Sequence, residues 1–250
     1  MTKKIDNVEP RGVPKEIQEK INDSQKSTQN SAKEEGEQSN AVCELVFILD
    51  KSGSMSGMEK DVIGGFNAMI EKQKKNPGKV YVSTVLFSTF CQVLHDRKPL
   101  EEIQPLTEED YAVGGCTALL DALGDAIKHV RNIHKYARKE DLPQNTIFVI
   151  TTDGLENASK NYSYSDIKKE IKKQEEQGWE FLFLAANIDA AATARSIGIS
   201  EKRATNYRVE EDTAFMFNEV SETLSCYRES GVIKENWDKE LKKKYNSKRK

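Results

Sequence analysis

Asp50, Ser52 and Ser54 stand at alternate positions in the stretch VFILDKSGSMSG, residues 46–57, and offer one carboxylate and two hydroxyls close together. Far along the chain, Thr117 follows Gly114-Gly115-Cys116, and Asp153 sits between Thr151-Thr152 and Gly154. All five side chains present oxygen. Such a set suits a hard cation, Mg²⁺ or in its place Mn²⁺, since Mg²⁺ takes about six oxygens at roughly 2.1 Å. Asp50 and Asp153 supply negative charge. Ser52, Ser54 and Thr117 are neutral, so the ion would keep a residual positive charge able to attract a carboxylate from outside the chain. Gly53, Gly114 and Gly115 let the backbone crowd around it.

These residues need elements that bring them together. The apolar run before Asp50 gives way to small polar residues, which reads as a buried strand emptying into a tight turn. Met58, Val62, Phe66 and Ile70, each four apart, then set a helical period. After Pro77-Gly78, residues 80–88 read as a strand and residues 90–100 as the second arm of a hairpin, an antiparallel edge strand. A polar segment with Pro99 and Pro105 leads to a helix carrying Leu119, Leu120, Leu123, Ile127 and Val130 on one stripe.

Residues 146–154 form a continuous apolar strand ending at Thr151, Thr152 and Asp153, followed by a helix over 163–177. A strand over 179–187 precedes a small helix that starts near Asp189 and stops at Gly198. Residues 204–209 read as a short sixth strand, and a final helix starts near Asp212 with Phe215, Val220, Leu224 and Tyr227. This order predicts an α/β fold: a doubly wound, Rossmann-like, mostly parallel six-stranded sheet with one antiparallel edge strand and helices on both faces. The first and fourth strands are then neighbours where the winding reverses, and their carboxyl ends open a crevice between Asp50 and Asp153. Thr117 lies on the loop beside it. Glu156 and Asn157 are expected in a solvated loop, with the rim of the crevice as the alternative.

The sequence closely resembles the von Willebrand factor A family and its metal-ion-dependent adhesion site. Asp50-Lys51-Ser52-Gly53-Ser54 matches that family's DxSxS segment, Gly115-Cys116-Thr117-Ala118-Leu119 its threonine loop, and Thr152-Asp153-Gly154 its last acidic segment. Every position of the motif is intact. The resemblance implies Mg²⁺ held by the serine and threonine hydroxyls, with the aspartates acting directly or through water. It also implies protein binding, in which a partner's Asp or Glu fills the remaining metal position. Neither a small-molecule substrate nor nucleic acid is expected, and the domain is read as a non-enzymatic interaction module.

Enzymatic chemistry finds little support in the residues. An aspartyl-nucleophile phosphatase needs a second Asp two residues on, where Ser52 stands. A serine hydrolase needs a base near its nucleophile, yet His95 falls on the edge strand, and His129 and His134 fall far along a helix that starts near the site. No GxxxxGK[ST] loop occurs. A metal-dependent hydrolase stays as an alternative.

Composition places these elements in a domain spanning residues 42–228. Charged residues make up 32% and apolar ones 37% of the chain, which suggests polar tails on an ordinary core. Residues 1–41 are poor in apolar positions and are expected to be disordered, with a short helix possible over Pro14 to Ile21. Residues 229–250 read as a basic tail. From Lys239 to Lys250 seven positive charges face one negative, which makes contact with nucleic acid or another acidic surface the alternative function. No apolar run approaches the roughly 20 residues that span a bilayer, and no apolar segment of a secretory signal follows the first ten residues. Cys43, Cys91, Cys116 and Cys226 have no metal-type spacing and are expected to be small core residues in the reducing compartment of a cytoplasmic protein, a bridge between Cys43 and Cys226 being the alternative on export.

Overall fold

The computed structural model describes residues 42–247. The expectations for residues 1–41 lie outside the described residues. Strand β1 (Val42–Asp50) is buried along its whole length, as an apolar run covered on both faces of a sheet requires. It pairs in parallel with β2 (Lys79–Phe87) on one side and β4 (Asn145–Thr152) on the other. The antiparallel β3 (Cys91–Pro99) closes one edge against β2, with bulges between Val82 and Val85. Parallel strands β5 (Trp179–Ala185) and β6 (Ala204–Asn206) extend the other side, giving the order β3-β2-β1-β4-β5-β6. The predicted mixed six-stranded sheet is the one observed, and β1 and β4 are neighbours at the reversal of winding.

Strand alternation sorts the core into two layers. Leu45, Phe47 and Leu49 point with Ile147, Val149, Leu182 and Leu184 into the layer of helices α1 (Glu59–Lys74) and α5 (Val209–Ser230). Val46 and Ile48 point with Phe148, Ile150, Phe181 and Phe183 towards α2 (Leu119–Tyr136), α3 (Tyr164–Glu175) and α4 (Ala190–Ile197). Ser163 starts α3 through a capping box with Asp166, and Gly198 ends α4 in the left-handed region at φ 98°, both at the positions the sequence indicated.

Most boundaries fall within two residues of expectation, and two differ by three. Helix α5 starts at Val209, three residues before Asp212, and β6 ends at Asn206. The larger difference concerns residues 229–247, expected as a tail. Ile233, Trp237 and Leu241 are buried in the same layer as α1 and α5, and a sixth helix, α6 (Lys239–Ser247), packs on α5 and β6. Its lysines are put to structural use: Lys244 Nζ lies 2.8 Å from the buried Asp212 and Lys242 Nζ 2.8 Å from the buried Asp238. Arg208 also donates to the carbonyl of Tyr245. Three apolar anchors, each four residues from the next, make this stretch part of the fold despite its charge.

A further charged group is buried outright. Glu44 on β1 has no exposed surface and accepts from His134 Nε2 at 2.6 Å and Arg97 Nε at 3.4 Å. Burying a carboxylate is costly unless it is paired, and both partners come from the α2 and β3 sides of the same end of β1.

Candidate metal crevice

Asp50 is the last residue of β1, and its side chain is wholly buried. Its two carboxylate oxygens are used separately: Oδ1 accepts from the Ser52 amide at 2.7 Å and Oδ2 from Thr152 Oγ1 at 2.6 Å. The Tyr111 hydroxyl donates to its backbone carbonyl. A 3₁₀ turn over Gly53–Met55 follows and folds Ser54 back, so that Ser52 Oγ and Ser54 Oγ are 3.1 Å apart. Ser54 Oγ donates to Asp153 Oδ1 at 2.5 Å, closing the gap between the ends of β1 and β4.

The third loop is set against the first two by its backbone. Gly53 N–H donates to Gly115 O at 3.0 Å and Gly114 N–H to Lys51 O at 2.9 Å. Gly115 has φ 83°, and a Cβ there would lie 2.6 Å from Thr89 Oγ1, so only glycine fits this turn. The loop delivers a buried Thr117. A Cβ on Gly154 would lie 3.2 Å from Thr117 Oγ1 and 3.4 Å from Ser54 Oγ. The two hydroxyls thus converge on a space that Gly154 leaves open beside Asp153.

All five residues singled out in the sequence therefore meet at one crevice. Burial pushes the carboxyl of Asp50 above its ordinary value, hydrogen bonds from Thr152 and Ser52 oppose that rise, and the charge of Asp153 adds to it. Asp153 is likewise raised by burial and opposed by Ser54. Two neighbouring carboxylates that resist ionisation form a site where a cation would relieve both burdens. Among the described residues no group of three or more His, Cys, Asp or Glu is placed to hold a metal; this crevice offers two carboxylates and three hydroxyls instead. The donor set fits a hard cation and suits zinc or copper poorly.

The family model of the von Willebrand factor type A domain matches residues 44–222. The chain belongs to that family. Solved structures similar to this vWA domain include the vWF domain of the type V pili tip protein Mfa5 from Porphyromonas gingivalis, with 12% identity and a TM-score of 0.55 over 78% of this chain and 98% of that one. Proximal thread matrix protein 1 from the mussel byssus aligns at 15% identity and a TM-score of 0.53 over 74% of this chain and 46% of its own. The pilus adhesin SpaC from Lactobacillus rhamnosus GG, in its open conformation, aligns at 12% identity and a TM-score of 0.53 over 74% of this chain and 30% of its own. These likenesses carry the fold. The chain spans about half the length of the byssus protein that it matches. No curated protein sequence matches the chain.

Two residues expected in a solvated loop have a different place in the vWA domain. Asn157 Oδ1 accepts from the Thr117 amide at 2.9 Å, and Glu156 Oε2 from the Leu120 amide at 2.9 Å. Side-chain acceptors for backbone amides leave no periodic mark in a sequence. The only available signal was an Asn and a Glu directly after the Asp153 loop, beside a helix whose N-cap, Ala118, has no capping oxygen.

The histidines are engaged away from the crevice. His95 is buried with Nδ1 3.0 Å from Thr84 Oγ1, His129 pairs with Asp96 at 2.7 Å, and His134 pairs with Glu44. Beside the crevice, a cleft of about 400 Å³ is lined by Gly57, Glu59, Lys60, Glu108, Tyr111 and Val113.

Proposed function

We propose that this vWA domain binds a protein partner through a divalent cation, Mg²⁺ or Mn²⁺, held by Asp50, Ser52, Ser54, Thr117 and Asp153 as a metal-ion-dependent adhesion site. Domains of this family commonly mediate protein interaction. The observation that carries the metal reading is the convergence of Ser54, Thr117 and Asp153 on the space left by Gly154. When bound, the cation would supply a positive charge that two carboxylates and three neutral hydroxyls do not exhaust. The partner is accordingly a protein that presents an Asp or Glu to the crevice, and the adjoining cleft with Glu59, Lys60 and Glu108 offers polar contacts to the residues around it. Asp50 and Asp153 supply charge, the hydroxyls supply neutral oxygens, and Thr152 and the Ser52 amide orient the Asp50 carboxylate.

We assign no catalytic step to the crevice: no histidine is within hydrogen-bond reach of it, and the bases beside its serines, the Asp50 and Asp153 carboxylates, are the ones proposed to hold the cation. A cytoplasmic setting is part of the proposal. It is supported by four cysteines that are all free, although only Cys43 lies in the core expected for all four, with Cys91 and Cys116 exposed and Cys226 half-buried. Among the described residues no helix is long and apolar enough to cross a membrane. The alternative through the basic terminal segment loses force from the pairing of Lys242 and Lys244 with Asp238 and Asp212.

Calorimetry with Mg²⁺ and Mn²⁺ tests the proposal, with a single site expected in the parent chain and none in Asp50→Ala. Affinity capture with and without EDTA then identifies the partner, whose binding Thr117→Ala should weaken without unfolding the domain. Cation binding that persists in a Ser52→Ala/Ser54→Ala double variant would overturn the site. Partner binding that survives both chelation and Thr117→Ala would move the contact surface elsewhere.

A further inference from the structure

The loop that follows Asp153 is tied to the start of α2 by a ring of directional bonds. Asn157 grips residue 117 at both ends of its backbone: its Oδ1 accepts from the Thr117 amide at 2.9 Å, and its own amide donates to Thr117 O at 3.0 Å. Glu156 reaches the first turn of α2, where Oε2 accepts from the Leu120 amide at 2.9 Å. The rest of its carboxylate is held by the Ala158 and Ser159 amides and by Ser159 Oγ at 2.7 to 2.9 Å. Ser159 Oγ accepts from the Asp121 amide at 3.0 Å, and the Asp121 carboxylate returns the tie by accepting from the amides of Lys160, Asn161 and Tyr162.

These contacts answer a need set by the sequence. The first amides of a helix have no partner within it, and Ala118 at the N-cap offers no side-chain oxygen to α2. Glu156 and Ser159 cap the helix from another loop, and a carboxylate there also favours the positive end of the helix. Thr117 immediately precedes this end. The flanking backbone anchors run elsewhere: the Cys116 amide on Thr89 Oγ1 and the Ala118 amide on Ser88 O reach the hairpin tip, and Gly114 and Gly115 reach the first loop at Lys51 and Gly53. Asp121 and Ser159 tie the helix start to the Asp153 loop farther along, but Asn157 bonds the Thr117 backbone itself and Glu156 the first turn that follows it.

We infer that Asn157 and Glu156 are positioning residues for the crevice: they join the threonine loop and the Asp153 loop into one rigid jaw, so that the Thr117 and Asp153 oxygens are already converged when a cation arrives. This rests on the cation reading above. Partners that orient a metal's ligands change affinity by about 10- to 100-fold when removed, and Asn157, which bonds the Thr117 backbone directly, belongs among them.

The experiment uses the full chain and two readouts. In the absence of any cation, hydrogen exchange at the Thr117 amide should accelerate in Asn157→Ala and recover in Asn157→Asp, which keeps the acceptor oxygen. Titration with Mn²⁺, followed by its paramagnetic resonance, should show binding about tenfold or more weaker in Asn157→Ala and weakened in Glu156→Gln. A variant destabilised elsewhere, Trp237→Ala, should bind Mn²⁺ as the parent does, which separates positioning from general loss of stability. Unchanged Thr117 protection in Asn157→Ala, or unchanged Mn²⁺ affinity in a parent chain that does bind, would overturn the inference. A parent chain that binds no Mn²⁺ would overturn the cation reading itself.

Discussion

Replacing Trp237 with Ala measures whether the terminal segment belongs to the domain. The indole is 7% exposed, lies in the layer of α1 and α5, and donates from Nε1 to Lys202 O at 2.9 Å. Truncating a buried Trp costs about 3–5 kcal/mol through lost transfer energy and the cavity left behind, and a lost hydrogen bond of this kind falls within that range at about 1 kcal/mol. Taking about 4 kcal/mol and a urea slope of about 2 kcal/mol per molar, the unfolding midpoint should fall by about 2 M. That is a large share of the roughly 5–15 kcal/mol that holds a domain together. The assay is urea unfolding of the full chain followed by circular dichroism, with Lys243→Ala on the exposed side of α6 as a control that should stay within about 0.5 kcal/mol. A Trp237→Ala loss under about 0.5 kcal/mol would refute the reasoning, since only a dispensable appendage tolerates such a change.

Other tests address the scaffold. A Cβ on Gly65 would lie 2.4 Å from Phe217 Cδ2, whereas one on Gly64 would meet nothing within 4 Å; Gly65→Ala should therefore destabilise by about 1–3 kcal/mol and Gly64→Ala stabilise by about 0.5–1 kcal/mol, both read by thermal or urea unfolding, and equal effects would sink the packing argument. His95 is held below its ordinary value of 6.5, first by burial and then by Lys98, against the opposing pull of Asp110 and a hydrogen bond to the backbone of Gln104. Its neutral form is the one the fold accepts, so its contribution is present above pH 6.5 and is lost as the pH falls through the lower folded value; unfolding midpoints of His95→Gln should fall less on acidification than those of the parent, and parallel curves would exclude His95 as the cause. Tyr111→Phe removes the donor to the buried Asp50 carbonyl and should cost about 1 kcal/mol, measured in the same way, with no loss pointing to a water in its place.

Much of the architecture was written in local pattern. The runs that became β1, β4 and β5 are apolar on both faces, the hairpin arm alternates poorly as an edge strand does, and the glycine ending α4 is the only residue type at ease at its φ. Asp50, Ser52, Ser54, Thr117 and Asp153 were legible because each falls where an apolar period breaks. Less local facts were hidden. Net charge masked the spacing of Ile233, Trp237 and Leu241, since a stripe of three apolar residues among many lysines looks like a solvated face until a core is available to receive it. Glu44 resembled a surface residue by type, and its burial depends on Arg97 and His134, which are distant in sequence. The positions of Glu156 and Asn157 depend on amides that any residue carries.

The meeting of α1 and α5 has a mechanical consequence. The Phe217 ring occupies the place where Gly65 lacks a side chain, like a ball seated in a detent. Towards the other end of α5, Arg228 donates to Gln73 O, Gln73 Oε1, Asn76 O and Pro77 O at 2.8 to 3.0 Å, and Gln73 Nε2 returns to Ser221 and Ser225. A small axial slide of α5 would lift the ring out of its seat and misalign those bonds together, with no intermediate setting to satisfy either. The helix is indexed: seat and bonds together fix one axial register of α5 on α1.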